Sequence, residues 1–259
     1  MKQPEIHITK DGSSTLYSEE YNQFYHNPNG AVAESRHVYF EQSGLLDALA
    51  EKRSLSIFET GFGSGLNLAL LKSYLEAQDI TTEFHFFSVE ASPLSAGQAG
   101  KIQFGENPEL NSSRELLVEI FSRLNPGMNE FQLSRTLRAT IYYGSFHQLF
   151  EEVSFEDSFD FFLHDPFSPG VNAELWTSGT FHHLASVASP DAMLSTYCAA
   201  TPARAAMAVA GWKLCRKKGA LGKREMTLAS RSEKKLKSCK RLNEKRLAER
   251  YLQNEFGTE

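Results

Sequence analysis

Cysteine is scarce in this chain: three residues in 259 (Cys198, Cys215 and Cys239), odd in number and without a CxxC pair. That speaks against a cysteine-rich scaffold, and the simplest expectation is a reduced protein with unpaired thiols and no metal. Long hydrophobic runs are missing too. No stretch approaches the roughly 18 apolar residues of a membrane span. The opening Met1-Lys2-Gln3-Pro4-Glu5 has no apolar signal core, so a cytoplasmic location and no membrane partner are expected. Nothing in the chain resembles a repeat.

What is present is an ordinary globular composition, 41 % hydrophobic, in a length that suits one α/β domain with additions. The net charge of −5 hides an asymmetry. Arg216 to Arg250 holds 14 Lys/Arg against 4 Asp/Glu, leaving 13 against 28 in the remainder. A basic end on an acidic body points to a polyanionic partner, with a solvated charged helix as the alternative.

Alternation along the middle of the chain predicts βαβ units. Strands are expected at Leu55–Glu59, Phe84–Glu90, Ala139–Tyr143, Phe159–Asp165, Ala192–Tyr197, Trp212–Lys217 and Glu225–Ala229. Helices are expected between them, at Leu66–Ala77, Leu94–Phe104, Ser113–Leu124, Phe146–Glu152, Glu174–Ala188 and Pro202–Ala210. Apolar strands alternating with helices give a mostly parallel, seven-stranded sheet covered on both faces. The last two strands are too close for a helical crossover, so the final one should be antiparallel. Before this core, Ile6–Thr9 and Ser14–Tyr17 flank the turn Asp11-Gly12, and Ala31–Phe40 and Gly44–Lys52 read as helical. The division expected is an extension over 1–52, a core over 53–230 and a basic helical tail over 231–259. Gly105–Leu137 reads equally as a lid or an insertion.

The chain is organised around Glu59-Thr60-Gly61-Phe62-Gly63-Ser64-Gly65-Leu66-Asn67. A strand enters it, a helix leaves it, and the glycines permit positive φ and close approach of a ligand to the backbone. The dinucleotide fingerprint needs its third glycine one residue later, where Leu66 stands. Glu59 at the strand end suits an ammonium, and Glu90, ending the next strand, suits a ribose diol. A ligand with an amino-acid end and a nucleoside end is S-adenosylmethionine rather than a dinucleotide. For each acid alone, an ordinary strand-end carboxylate is the alternative. The fourth strand runs into His164-Asp165-Pro166-Phe167-Ser168-Pro169, so Asp165 should lie beside the glycine turn, with prolines fixing its aim. A turn-capping aspartate is the competing reading, and a lone His164 at a strand end is more often structural.

With Gly30–Arg36, Asn172–Thr177 and Gly222–Met226, these pieces resemble the methyltransferase part of the bacterial bifunctional enzymes that complete 5-methylaminomethyl-2-thiouridine in tRNA, over about Tyr21 to Ala229. In that family the aspartate is commonly followed by Gly or Ala, and here by Pro166. The resemblance implies a class I S-adenosylmethionine-dependent methyltransferase of Rossmann-like fold. It would methylate the primary amine of 5-aminomethyl-(2-thio)uridine at the tRNA wobble position. Glu59, Gly61, Gly63, Gly65, Asn67, Glu90 and Ser145 would serve the cofactor, and Asp165 would orient the amine and take its proton. The substrate side, facing the anticodon loop, would draw on Tyr25, Glu34, Phe167, Glu174, Trp176, Lys223 and Arg224. Tyr25, Phe167 and Trp176 are there as stacking candidates, though the more ordinary reading of each is a core residue. Lys223, Arg224 and the basic tail are the phosphate candidates. No second glycine fingerprint is present, so methylation without flavin oxidoreductase activity is expected. The competing classes are a spermidine-synthase-like aminopropyl transferase, a dehydrogenase disfavoured by the glycine spacing, and a binding module without chemistry.

Overall fold

The computed structural model describes residues 3–51, 53–78 and 82–257. Lys52, which closes the second expected N-terminal helix and the 1–52 division, lies outside them. At the N-terminus β1 (Glu5–Ile8) and β2 (Ser14–Ser18) pair antiparallel across Asp11-Gly12, and β3 (Gln23–Phe24) completes a small sheet. Helix α1 (Ala31–Ser35) passes into a π-helical turn over Arg36–Glu41, and α2 (Leu45–Ala50) follows.

The main sheet is built from β4 (Leu55–Thr60), β5 (Phe84–Glu90), β6 (Gly127–Gln132), β7 (Leu137–Tyr143), β8 (Phe159–His164), β9 (Ala188–Thr196), β10 (Lys213–Lys217), β11 (Met226–Ser230) and β12 (Lys240–Arg241). Their spatial order is β12-β10-β11-β9-β8-β4-β5-β7-β6. The five central strands β7, β5, β4, β8 and β9 are parallel, and β11 inserts antiparallel between β9 and β10. This is the expected seven-stranded, mostly parallel sheet with its antiparallel final strand. It is widened here to nine strands by edges that the sequence pattern did not reveal. On β6 only Phe131 is buried, and β12 is two residues long, so neither carries a readable apolar period.

Helices α3 (Leu66–Glu76), α4 (Ala96–Ala99), α5 (Ser112–Arg123), α6 (Phe146–Glu152), α7 (Ser178–Ser186) and α8 (Thr201–Val209) lie between the strands. Two expected helices are shorter than anticipated. The one over Leu94–Phe104 starts at a Ser95 capping box and ends at Gly100. The one over Glu174–Ala188 is split into a 3-10 turn (Ala173–Trp176) and α7, because the Thr177 hydroxyl caps the Thr180 N–H and begins a new helix. Gly105–Leu137 is an inserted helix and edge strand: α5 packs on α3, and β6 on β7.

The segment after Arg231 is held on the core: Leu236 and Tyr251 are buried, and α9 (Glu244–Leu252) packs along α8. One expectation about the C-terminal part is corrected: not all thiols are unpaired. Cys215 on β10 and Cys239, just before β12, form a disulfide, leaving Cys198 free and buried. Strand pairing brings these two together across 24 residues of sequence, which spacing alone does not disclose. Among the described residues no helix is long and apolar enough to cross a membrane, and no cluster of potential metal ligands occurs.

Candidate active site

In an open α/β sheet, ligands lie beyond the carboxyl ends of the strands where the chain direction of travel reverses. Here that point is between β4 and β8: the chain leaves β4 toward β5 on one side and later returns through β8 on the other. Gly61 follows β4 and Asp165 follows β8, and the Asp165 N–H donates to the Thr60 carbonyl at 3.0 Å. A cleft of about 900 Å³, counted with its open mouth, fills this place. Gly61, Gly63, Glu90, Ser145, Asp165, Phe167, Tyr25 and Glu174 all line it, as the sequence reading anticipated. Tyr21 lines it too and was not singled out.

One wall is made by backbone. Gly61, Gly63 and Gly65 have φ of 91°, 53° and 76°, so the turn takes a path that L side chains avoid. A Cβ on Gly61 would stand 3.1 Å from the Asp165 carbonyl oxygen, which ties the turn's composition to the next strand's loop. Glu90 accepts the Gly63 N–H at 2.8 Å and the Ser92 N–H at 2.7 Å, one on each oxygen. Burial raises its pKa against those two bonds. Each oxygen keeps a lone pair that a ribose hydroxyl can use. Ser145 caps α6 through a capping box with Gln148 and faces the same end of the cleft. Glycines that let a ligand reach the backbone and an acid for a diol, side by side in one cleft, fit S-adenosylmethionine.

The other wall is made by side chains. Asp165 is half-buried, and its Oδ1 accepts the Tyr39 hydroxyl at 2.5 Å. Its Oδ2 has only a long contact, 3.4 Å, from the Asn67 amide. Burial, with help from the nearby Glu34 charge, outweighs these bonds and the Lys223 charge and raises the Asp165 pKa to about 8. Tyr39 was missed by the sequence reading. It belongs to the apolar run Val38-Tyr39-Phe40 of an expected helix, and the π-helical turn that aims its hydroxyl has no sequence signature.

Several expected contacts are corrected. Glu59 does not face the cleft. Beneath the turn its carboxyl accepts the Asn67 amide at 2.8 Å and the Ser88 hydroxyl at 2.6 Å, and burial pushes its pKa well up. The cause is strand register, since Glu59 and Ser88 are partners across β4 and β5. Asn67 is likewise buried and links Glu59 to Asp165 rather than lining the cleft. Gly65 sits behind the turn against Leu117 and Phe62, away from the cleft wall. Trp176 is no stacking platform: its ring is buried against His164 and Phe181, and its Nε1–H holds the Phe167 carbonyl at 2.8 Å. Glu34 and Lys223 engage each other at 2.8 Å, with the ammonium 4.9 Å above the Tyr197 ring. Arg224 is exposed and has no partner among the described residues. His164 is structural, as the more ordinary reading held. It is wholly buried, donates to the Leu175 carbonyl, and burial lowers its pKa to about 3. Pro166, the departure after the aspartate, is buried and its carbonyl accepts the Tyr197 hydroxyl at 2.8 Å, so the loop is held on both sides of Asp165.

At the mouth, Phe167 stands between Tyr21 and Tyr25, with ring centroids 4.9 and 5.0 Å away. These three rings form an aromatic rim beside Asp165.

Comparison with known proteins places this geometry. The family model described as S-adenosyl-L-methionine-dependent methyltransferase matches residues 108–232. The chain is 32 % identical over 217 residues to the tRNA 5-methylaminomethyl-2-thiouridine biosynthesis bifunctional protein MnmC of Thiobacillus denitrificans, covering 83 % of this chain and 35 % of that protein. The chain thus spans about a third of the length of the curated relatives it matches. Among solved structures, MnmC2 from Aquifex aeolicus superposes with a TM-score of 0.75 at 25 % identity, covering 97 % of this chain and 76 % of that one. Spermidine synthase from Thermotoga maritima, at 11 % identity and a TM-score of 0.50 over 92 % of this chain and 73 % of that one, shares the fold alone.

Proposed function

We propose that this chain is an S-adenosyl-L-methionine-dependent methyltransferase and that it methylates the primary amine of 5-aminomethyl-(2-thio)uridine at the wobble position of tRNA. The product is 5-methylaminomethyl-(2-thio)uridine, and the reaction belongs in the cytoplasm, where tRNA is. The observation that carries the reading is the placement of Asp165 on the cleft wall, beside the glycine turn, with one oxygen held by Tyr39 and the other met only by a long contact from Asn67. The working division is a core over 53–230 that binds the cofactor, with residues 1–52 contributing Tyr21, Tyr25 and Tyr39 to the substrate side.

The cofactor supplies a methyl group already activated on a sulfonium sulfur. The protein's share is alignment and proton handling. Asp165 Oδ2 accepts an N–H of the incoming ammonium and takes that proton, which passes on to solvent, so that the carboxylate again faces the positive charge that appears on nitrogen as the new bond forms. A carboxyl of ordinary pKa is a weak base toward an ammonium, and one raised to about 8 by burial is better matched. Tyr39 keeps Oδ1 occupied, which selects Oδ2 for the substrate. The uracil ring has the Tyr21, Phe167 and Tyr25 rim to stack on, as a base splayed from a single-stranded loop requires. Glu174, at the same rim, is placed to meet the substrate's polar edge.

A polyamine substrate would need several free carboxylates spaced along the cleft. Glu34 is neutralised by Lys223, Glu90 is engaged by two backbone N–H groups, and Glu59 is buried, which favours a single amine. The purified protein, given the cofactor and tRNA carrying 5-aminomethyluridine, should convert that nucleoside to its methylamino form by nucleoside mass analysis. Unchanged nucleoside with cofactor bound would overturn the assignment.

A further inference from the structure

We propose that Lys217, Lys218, Arg224, Lys237 and Lys240 form a phosphate-binding edge that carries the anticodon arm while its wobble base enters the cleft. This rests on the reading of tRNA as substrate and adds the surface that receives it. The topology puts these residues there. β10 is antiparallel to β11, and β11 to β9, so β10 points the same way as β8 and ends, at Lys217, on the edge of the sheet where the cleft opens. Three strand spacings separate β8 from β10, about 14 Å, and β12 lies one further, at about 19 Å. Lys240 stands opposite Arg216 in the β12 register, next to the Cys215–Cys239 crosslink, and Lys237 leads into it.

The row is tied to the active site. The His37 Nε2–H donates to the Lys218 carbonyl at 2.8 Å, from the same π-helical turn that carries Tyr39. The Lys223 ammonium, clamped on Glu34, fixes the loop that presents Arg224. The five cations themselves are uncommitted. None has a carboxylate partner among the described residues, whereas the nearby acids are taken: Glu225 by Arg204 and Arg216, and Glu233 and Glu244 by Arg241. Apart from Lys217, which is half-buried, all are exposed. Uncommitted cations running from a cleft mouth that holds an aromatic rim are the arrangement that tracks a single-stranded backbone. Lys245 and Arg246 are placed differently. They lie in the first turn of α9, at the opposite end of β10, where Glu244 accepts the Leu214 N–H.

The test compares two sets of substitutions in the full chain by the salt dependence of tRNA binding. Lys218→Gln/Arg224→Gln/Lys240→Gln should flatten the slope of log affinity against log salt by about 2, at about 0.7 per lost contact with a single strand. Affinity near physiological salt should fall about ten- to a hundred-fold, with binding of S-adenosylhomocysteine unchanged. Lys245→Gln/Arg246→Gln should leave the slope as in the wild type. An unaltered slope in the triple variant, or an equal loss per charge in both variants, would overturn the proposal. The expected slopes without methyl transfer in the wild type would uphold the edge and refute the amine reading. Methyl transfer with an unaltered slope in the triple variant would do the reverse.

Discussion

The two walls of the cleft are built by different means. The wall of Gly61, Gly63 and Glu90 is backbone and local sequence: two neighbouring parallel strands, one turn, and N–H donors fixed by that turn. The wall of Asp165 is made by side chains distant in sequence, with Tyr39 reaching across 126 positions and Asn67 across 98. The backbone wall is suited to a ligand whose shape is constant, and the side-chain wall sets the protonation of one carboxyl. Substitutions should therefore separate binding of the cofactor from transfer of the methyl group.

The largest expected effect is on the side-chain wall. Asp165→Asn should reduce methyl transfer by about a hundred- to ten-thousand-fold, the usual range for a lost acid–base group, while S-adenosylhomocysteine binds as before. Single-turnover transfer and calorimetric binding, measured on the same preparation, check this. If both fell together, the two walls would not be separable. Next is Gly61→Ala, on the backbone wall. At φ 91° and with the new Cβ 3.1 Å from the Asp165 carbonyl oxygen, it should cost about 1–3 kcal/mol of stability and weaken cofactor binding. Chemical denaturation with and without the cofactor product reads both. An alanine variant of wild-type stability and affinity would mean that the turn does not need glycine there.

The same contrast governs what could be read from sequence. The run Leu55–Leu75 announces itself as strand, turn and helix because each signal is local, and the seven core strands follow from apolar runs of the same kind. Asp165 was legible from its position at a strand end. Its partners were not, since Tyr39 lies in an apolar run that reads as core. Glu59 shows the limit most clearly. Its position at the end of β4 was evident, yet which face it took depended on pairing with Ser88 and on Asn67 in the first turn of α3. Cys215 and Cys239, and the two edge strands, were likewise beyond local pattern, because only strand pairing brings them into place.

The central claim is that distant side chains set the proton affinity of Asp165, and it is tested most directly by the pH–rate profile of methyl transfer in the wild type and in Tyr39→Phe. In the wild type burial raises the carboxyl pKa and the Tyr39 hydroxyl, donating to the ionised form, opposes that rise. Without the hydroxyl the carboxyl stays protonated to higher pH, and the acidic limb of the profile should move upward. A rate loss of about ten-fold should appear on the acidic side, shrinking as pH increases. Superimposable profiles in the two proteins would contradict the account.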